Sequence, residues 1–232
     1  MPYGYGYGLD PTMLLLIPAL LLSMWAQSRV KSTFARYSQV GARGGVTADA
    51  VARALLTRFG LGDMPIHRVQ GSLTDHYDPQ KRTLNLSETV YGSRSIASIG
   101  VAAHEVGHAI QHGQGYAPLL FRNSIVPVVN MASQISMPLF VMGLMVGNST
   151  LTTIGILLFV GALVFHLVTL PVELDASSRA LALLKETGAL APDELVGARS
   201  VLSAAAWTYI AAAVMSALQL LRLIMIKRSR ES

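Results

Sequence analysis

The sequence predicts a mainly α-helical membrane protein with about four transmembrane helices and a polar domain that contains a small β-hairpin or sheet. Hydrophobic residues make up 52% of the 232 residues and charged residues only 13%, whereas soluble domains carry roughly 25% charged residues. The apolar residues are gathered into four long stretches, as transmembrane helices require. There is no cysteine, which excludes disulfides, thiolate metal ligands and a cysteine nucleophile.

The first apolar stretch runs from Thr12 to Ala26 and follows Asp10-Pro11, a pair typical of a helix N-terminus. No basic residue precedes the stretch and no small-residue cleavage site follows it. The sequence therefore favours an uncleaved membrane anchor over a signal peptide. Residues 1–27 form the predicted N-terminal segment and first transmembrane helix.

The second and third stretches, residues 125–147 and 151–170, contain no Asp, Glu, Lys or Arg. Only a few polar residues around Asn148 separate them, which predicts a helical hairpin across the bilayer over residues 124–170. The fourth stretch lies within residues 203–232 and is followed by a basic tail. We expect this last helix either to cross the membrane or to lie along its surface.

Two polar regions remain, residues 28–123 and 171–202. The larger one is predicted to contain two helices and two short strands. In chain order these are a helix from Thr47 to Gly60, strands Ile66–Val69 and Thr83–Leu86 joined through a turn at Asp78-Pro79, and a helix from Ile96 to His112.

The chemistry of the chain is predicted to lie in the motif HEVGH, residues 104–108. Residues four apart share one face of a helix, so the imidazoles of His104 and His108 can bind the same zinc ion. Glu105 lies beside His104, where its carboxylate can take a proton from a zinc-activated water and pass it to the leaving amine. Gly107 lowers helix propensity, a cost that is acceptable where another element packs closely.

A zinc site of this kind needs a third protein ligand. His112 lies on nearly the same helix face one turn after His108 and is predicted to miss the metal. Glu173 is the better candidate, because it lies just past Pro171, where a new helix is predicted to open, and two membrane crossings return it to the side of His108. Residues 171–202 are therefore predicted to carry the third ligand. The alternative is that Glu173 is a lone carboxylate at the membrane interface.

Three segments, residues 104–108 (HEVGH), 75–79 (DHYDP) and 173–177 (ELDAS), together resemble the YugP-type membrane zinc metallopeptidases, and the similarity covers nearly the whole chain. The arrangement is also similar to the HtpX-type and CaaX-processing gluzincins. This resemblance implies a zincin-like catalytic domain over residues 28–123 and Zn²⁺ as the cofactor. It also implies that a glutamate from a later E-x-x-x-D helix completes the zinc site.

The chain departs from that helix pattern, because Ser177 stands where the gluzincins have an aspartate. Ser177 shares the helix face of Glu173 and can hydrogen-bond a zinc ligand. Asp175 lies on another face, four residues before Arg179, and is predicted to be the ion-pair partner of that arginine. Ser177 and Asp175 are the candidates for residues that support the ligands.

His76 lies between Asp75 and Asp78 in a predicted turn and is a second catalytic candidate, either stabilising an oxyanion or orienting the substrate. A structural role is the alternative. Tyr77 and Tyr91 are weaker candidates for the oxyanion.

Two further features lie elsewhere in the chain. His166 lies within the third apolar stretch, where we expect a hydrogen bond to a neighbouring helix rather than a role in the site. The strand Thr83–Ser87 resembles the edge strand on which gluzincins bind extended peptide, with an ordinary core strand as the alternative.

The predicted function is that of a membrane-embedded zinc-dependent endopeptidase, which hydrolyses peptide bonds of membrane or membrane-proximal proteins with a zinc-activated water. The alternative is a non-catalytic zinc-binding membrane chaperone or scaffold, which would not need the base Glu105. A metal transporter is disfavoured, since only His166 is ionisable within the middle spans. The predicted partners are a protein or peptide substrate and the lipid bilayer. Nucleic acid is not predicted despite the net charge of +5, because basic loops in membrane proteins lie beside anionic lipid.

The predicted location is the cell membrane (inner or plasma membrane), with several membrane crossings. Residues 27–123 carry eleven Lys and Arg against six Asp and Glu, so the positive-inside rule predicts a cytoplasmic catalytic domain. Four crossings would put the basic tail outside, against the same rule, unless the last helix does not cross.

Overall fold

The structure is a computed structural model that describes residues 11–231. Asp10, which is predicted to cap the first helix, lies outside the described residues. A short 3₁₀ helix, Pro11–Leu16, leads directly into the first α-helix. In chain order the α-helices and strands are α1 (Ile17–Ser38), α2 (Ala48–Arg58), β1 (Ile66–Val69), β2 (His76–Asp78), β3 (Thr83–Ser87), α3 (Ile96–Gly113), α4 (Ala117–Met145), α5 (Ser149–Glu186) and α6 (Glu194–Glu231).

Within residues 11–231, four helical segments are long and apolar enough to cross a membrane: Pro11–Ser38, Ala117–Met145, Ser149–Glu186 and Glu194–Glu231. In the most apolar part of each segment, only 11% to 17% of the residues are buried within the protein. Apolar surface of that extent is stable in contact with lipid rather than water. Together with the small sheet, these helices confirm the prediction of a mainly α-helical membrane protein with about four transmembrane helices.

Helix α5 continues without interruption through Pro171, so the prediction that a new helix opens just before Glu173 is wrong. Proline removes one backbone donor and disfavours the helical conformation of the preceding residue, which is why the sequence predicts a boundary there. Helix α4 likewise contains Pro127 and Pro138. Packing of neighbouring helices makes such prolines tolerable in membrane proteins. Glu173 therefore lies on the same helix as the third apolar stretch.

The chain divides into two compact units. The membrane unit is formed by the described parts of residues 1–25, 124–168 and 209–232, and the polar unit by residues 26–123 and 169–208. In the membrane unit, α4 and α5 form a close hairpin in which a Cβ on Gly155 would lie only 2.7 Å from the backbone nitrogen of Phe140. The Ser136 hydroxyl donates to the Gly155 carbonyl at 2.9 Å across the same contact. The hairpin thus depends on a small residue at the helix crossing.

The polar unit contains a three-stranded sheet in the order β1-β3-β2, with β3 parallel to β1 and antiparallel to β2. All five residues of β3 are buried, so the prediction that this strand forms a sheet edge is wrong and the core alternative is correct. The edge strand β2 pairs Tyr77 with Leu84. The sequence predicts only a turn in this region, because three polar residues are too few to show the alternation of a strand.

Helix α3 lies in the core of the polar unit and carries the motif of residues 104–108. Its first turn is capped by Ser95, whose hydroxyl oxygen accepts from the Ser98 N–H at 3.1 Å. Further along, α3 meets α5 at Gly107, where a Cβ would lie 2.7 Å from the carbonyl oxygen of Ala176. Glycine therefore lets the two backbones touch, which brings α5 against the histidines of α3.

Candidate metal centre and catalytic residues

Two imidazoles and one carboxylate converge where α3 meets α5. Among the described residues, His104, His108 and Glu173 form a group whose possible ligand atoms all lie within 4.8 Å of one another. The Nε2 atoms of His104 and His108 lie 3.2 Å and 3.5 Å from Oε2 of Glu173. A tetrahedral zinc ion with bonds of about 2.1 Å separates its ligand atoms by about 3.4 Å. The spacing and the nitrogen and oxygen donors therefore fit zinc.

The position of each donor has a local cause. His104 and His108 are one helical turn apart, so both rings leave the same face of α3, with their centroids 4.7 Å apart. Glu173 comes from α5, three residues before the Ala176 backbone that touches Gly107. The side chains of all three residues are at most 14% exposed. Because these side chains are buried, water screens the negative charge of Glu173 only weakly, and a positive charge beside it is strongly favoured.

The electrostatics at His108 favour a cation. Burial by itself would lower the pKa of His108, but hydrogen bonding to Glu173 and the negative charges of Glu105 and Glu173 outweigh burial, and the pKa is raised. The position between the three side chains therefore attracts positive charge even without a metal. A zinc ion requires neutral imidazoles and competes there with protons.

Glu105 is held by strand β2 and does not belong to the group of His104, His108 and Glu173 (the three-donor group). Its side chain is buried, and its Oε2 accepts a hydrogen bond from the backbone N–H of Tyr77 at 3.0 Å. In an antiparallel pair, residues alternate between pointing their N–H toward the partner strand and away from it. Tyr77 points its N–H away from β3 and toward α3. The carboxylate is thereby oriented beside the histidines without joining their group.

Asp75 fastens the start of β2 to the end of β3. Its two carboxylate oxygens accept from the backbone N–H and the hydroxyl of Ser87 at 2.7 Å and 2.8 Å. Burial raises the pKa of Asp75, with a further contribution from the negative charge of Glu105, although the hydrogen bonds from Ser87 oppose it. Asp75 thus positions the strand that orients Glu105.

The two predicted supporting residues both contact the site. The Ser177 hydroxyl lies 3.1 Å from Nδ1 of His104, on the opposite side of the ring from Glu173. Asp175 forms the predicted ion pair with Arg179 at 2.5 Å. It has a second role that the sequence does not predict, because it also accepts from the side chain of Gln111 at 2.8 Å.

Gln111 and Arg122 are site residues that the sequence analysis missed. Gln111 is fully buried, and its Oε1 lies 2.9 Å from Nδ1 of His108. Arg122 lies in the first turns of α4, and its guanidinium donates to Oε1 of Glu173 at 3.2 Å. For Gln111 the sequence offers a weak signal, because this residue comes three positions after His108 and so shares its helix face. Arg122 had a longer-range signal, because it lies about as far before the predicted turn at Asn148 as Glu173 lies after it.

The remaining candidates lie outside the three-donor group. His76 is exposed on β2, where its Nδ1 hydrogen-bonds to the Thr74 carbonyl at 2.9 Å. Nδ1 of His112 lies 2.7 Å from the hydroxyl oxygen of Tyr77, so these two side chains hydrogen-bond to each other. Tyr91 is exposed, and His166 belongs to the membrane unit, where its ring contacts Phe165.

Comparisons with known proteins agree with this geometry. The model of the family described as "Putative neutral zinc metallopeptidase" matches residues 12–228. The chain is also 50% identical over 212 residues to the "Putative membrane protease YugP" of Bacillus subtilis (strain 168), which covers 91% of this chain and 94% of that protein. No solved structure matches the chain.

Proposed function

Because this chain belongs to the neutral zinc metallopeptidase family, we propose that it is a membrane-embedded endopeptidase that hydrolyses peptide bonds of membrane or membrane-proximal proteins. Membership of the family makes Zn²⁺ the cofactor. The observation that carries the catalytic proposal is the position of Glu105. Its carboxylate is buried and oriented next to His104 and His108, yet it is separate from the three-donor group.

His104, His108 and Glu173 are the proposed ligands. Zinc held by them would supply Lewis acidity, which lowers the pKa of a water molecule and polarises the substrate carbonyl. The protein's part is to keep the three donors in place. Arg122 holds the second oxygen of Glu173, so that Oε2 faces both imidazoles. Ser177 contacts His104 at Nδ1 and leaves its Nε2 directed toward Glu173.

Glu105 is the proposed proton carrier. The Tyr77 N–H engages Oε2 and leaves Oε1 to take a proton from the attacking water. The same carboxyl group then delivers this proton to the nitrogen of the leaving amine, so the residue returns to its starting charge. Burial keeps bulk water from the carboxylate and strengthens the hydrogen bond that orients it.

Strand β2 is the proposed docking edge for an extended substrate. Its inner edge is paired with β3, whereas Tyr77 on its outer edge already contacts the base Glu105. A peptide that lies along this edge would pass beside the three-donor group, held by contacts other than the Tyr77 N–H, which Glu105 already engages. His76 precedes Tyr77 on the same strand and is proposed to contact the substrate or the developing oxyanion.

We also propose that the polar unit faces the cytoplasm of a cell that carries this protein in its plasma or inner membrane. The excess of basic residues between residues 27 and 123 supports this orientation. A cytoplasmic site would receive its substrates from the membrane surface or from cytoplasmic loops.

The Glu105→Gln variant tests the peptidase proposal. Glutamine keeps the shape of the side chain and its capacity to accept from Tyr77, but it cannot take a proton. We expect zinc content and melting temperature to match those of the wild type, while hydrolysis of a peptide library falls by several orders of magnitude. Equal hydrolysis by both proteins would contradict the mechanism. Zinc binding with no hydrolysis by the wild type would favour the non-catalytic chaperone or scaffold.

A further inference from the structure

Gln111 is buried without any exposed atom and is surrounded by hydrogen-bonding partners on both ends of its amide group. Its Nε2 lies 2.9 Å from the carbonyl oxygen of Val172 and 2.8 Å from Oδ2 of Asp175. Its Oε1 lies 2.9 Å from Nδ1 of His108. One amide thus joins the helix that carries His108 to the helix that carries Glu173.

These partners determine which way the amide points. A backbone carbonyl accepts hydrogen bonds and cannot donate them, and the same holds for an ionised carboxylate. The two hydrogens of Nε2 are therefore both used, one by Val172 and one by Asp175. In the flipped orientation, the buried amide oxygen would face two acceptors and no donor, which is costly.

The direction of the amide in turn determines the proton position on His108. With Nε2 of Gln111 committed, only the acceptor Oε1 faces the imidazole, so Nδ1 of His108 must carry a hydrogen. A neutral imidazole with a hydrogen on Nδ1 has its lone pair on Nε2. That Nε2 atom is the one that lies 3.5 Å from Oε2 of Glu173.

We propose that Gln111 is a positioning residue that locks His108 in the tautomer able to bind zinc through Nε2, with Asp175 and Val172 fixing the direction of the Gln111 amide. This inference deepens the proposed function, because it rests on His108 being a zinc ligand. The tautomer is fixed in this way at His108 and not at His104. His104 contacts the Ser177 hydroxyl, which can donate or accept and so does not determine a tautomer.

Asp175 is itself held from the surface side of the unit. Arg179 donates through Nε to Asp175 at 2.5 Å and through another nitrogen to Oε1 of Gln114 at 2.6 Å. Arg179 and Gln111 donate to the same oxygen, Oδ2 of Asp175, so Arg179 holds in place the acceptor that fixes the direction of the Gln111 amide.

The direct test is the tautomer of His108 in the zinc-free wild-type protein. Nitrogen-15 NMR of histidine-labelled protein in detergent micelles distinguishes a protonated ring nitrogen from an unprotonated one, and His108→Asn identifies the signals. At alkaline pH, where the imidazole is neutral, we expect hydrogen on Nδ1 and none on Nε2. The opposite tautomer in the wild type would overturn the proposal, whether or not any variant folds.

The Gln111→Met variant tests the cause. Methionine has a similar length and no hydrogen-bonding group, so we expect a mixture of His108 tautomers and a 10- to 100-fold loss of zinc affinity in chelator competition. Gln70→Met is the control for the same change of side chain, since Gln70 is exposed in the loop after β1 and takes no part in these contacts. Its zinc affinity should remain within twofold of the wild type. A Gln111→Met protein that keeps the wild-type tautomer and affinity would refute the role of Gln111.

The two proposals fail in different ways. If the wild type shows the expected tautomer and binds zinc but hydrolyses no peptide, the endopeptidase proposal fails and the role of Gln111 stands. If peptides are hydrolysed while His108 carries its hydrogen on Nε2, the role of Gln111 fails and the endopeptidase proposal stands.

Discussion

Replacing Gly107 with alanine should separate Glu173 from the histidines, although none of the proposed ligands is changed. The added Cβ would lie 2.7 Å from the carbonyl oxygen of Ala176 and 3.2 Å from its Cα. Ordinary contact begins near 3.4 Å, so α5 would have to move by about 0.7 Å. Both obstructing atoms belong to the backbone, and no side chain can rotate away to relieve them.

The expected magnitude follows from this displacement. Alanine gains about 1 kcal/mol of helix propensity over glycine, whereas overpacking a buried contact costs about 1–3 kcal/mol. Global stability therefore falls by at most about 2 kcal/mol. Metal binding is more sensitive, because ligand distances must hold to about 0.2 Å, and Glu173 moves with Ala176. We expect zinc affinity to fall at least about tenfold, the equivalent of about 1.4 kcal/mol.

Gly100→Ala is the matched control on the same helix. A Cβ on Gly100 would lie 3.3 Å from the Cβ of Ala198, a contact that a few tenths of an ångström relieve. Chelator competition and thermal unfolding in detergent, each with and without zinc, compare the two variants with the wild type. We expect Gly100→Ala to bind zinc within twofold of the wild type. If Gly107→Ala does so too, the backbone contact does not position Glu173 and the reasoning is wrong.

Three further predictions concern the ligand set, a buried carboxyl group and the membrane orientation. Glu173→Gln should abolish the rise in melting temperature that zinc gives the wild type, a stabilisation of about 4 kcal/mol at a thousandfold excess over Kd; an unchanged rise would remove Glu173 from the ligand set. The pKa of Asp75 is raised in the folded protein, so folding favours the protonated form of this residue. The stability of the wild type relative to Asp75→Asn should therefore decrease as pH rises from the usual aspartate range through that higher pKa. A stability difference that does not change with pH in thermal unfolding would contradict this. In intact cells an impermeant thiol reagent should leave Ser72→Cys unlabelled, because we place the polar unit in the cytoplasm; labelling would reverse the orientation, and the result for Ser229→Cys reports whether the last helix crosses.

The sequence was informative where a pattern is local. The apolar stretches predicted the transmembrane helices, since roughly twenty apolar residues in a row have few alternatives to a membrane span. Residues 104–108 predicted two imidazoles on one helix face, because the spacing of an α-helix alone determines that arrangement. The ion pair between Asp175 and Arg179 follows from the same one-turn spacing and is present in the structure.

Local patterns misled at two places. Pro171 predicts a helix boundary, but α5 passes through it because the packing of neighbouring helices offsets the lost hydrogen bond. The segment His76–Asp78 predicts a turn, but it pairs with β3 as an edge strand. Its three residues are too few for a strand signal, and the pairing partner is supplied by the fold. The same pairing moves β3 from the predicted edge to the centre of the sheet.

The sequence by itself determined the membrane class of the protein, the paired histidines and the adjacent carboxylate, because each depends on residues close together in the chain. Only the tertiary structure decided which groups hold those side chains. Gln111 meets Asp175 across 64 positions and Arg122 meets Glu173 across 51, contacts that no local periodicity encodes. The contact of Gln111 with Asp175 exists because Gly107 lets α3 and α5 touch, and a close approach of two helices depends on how the whole core packs.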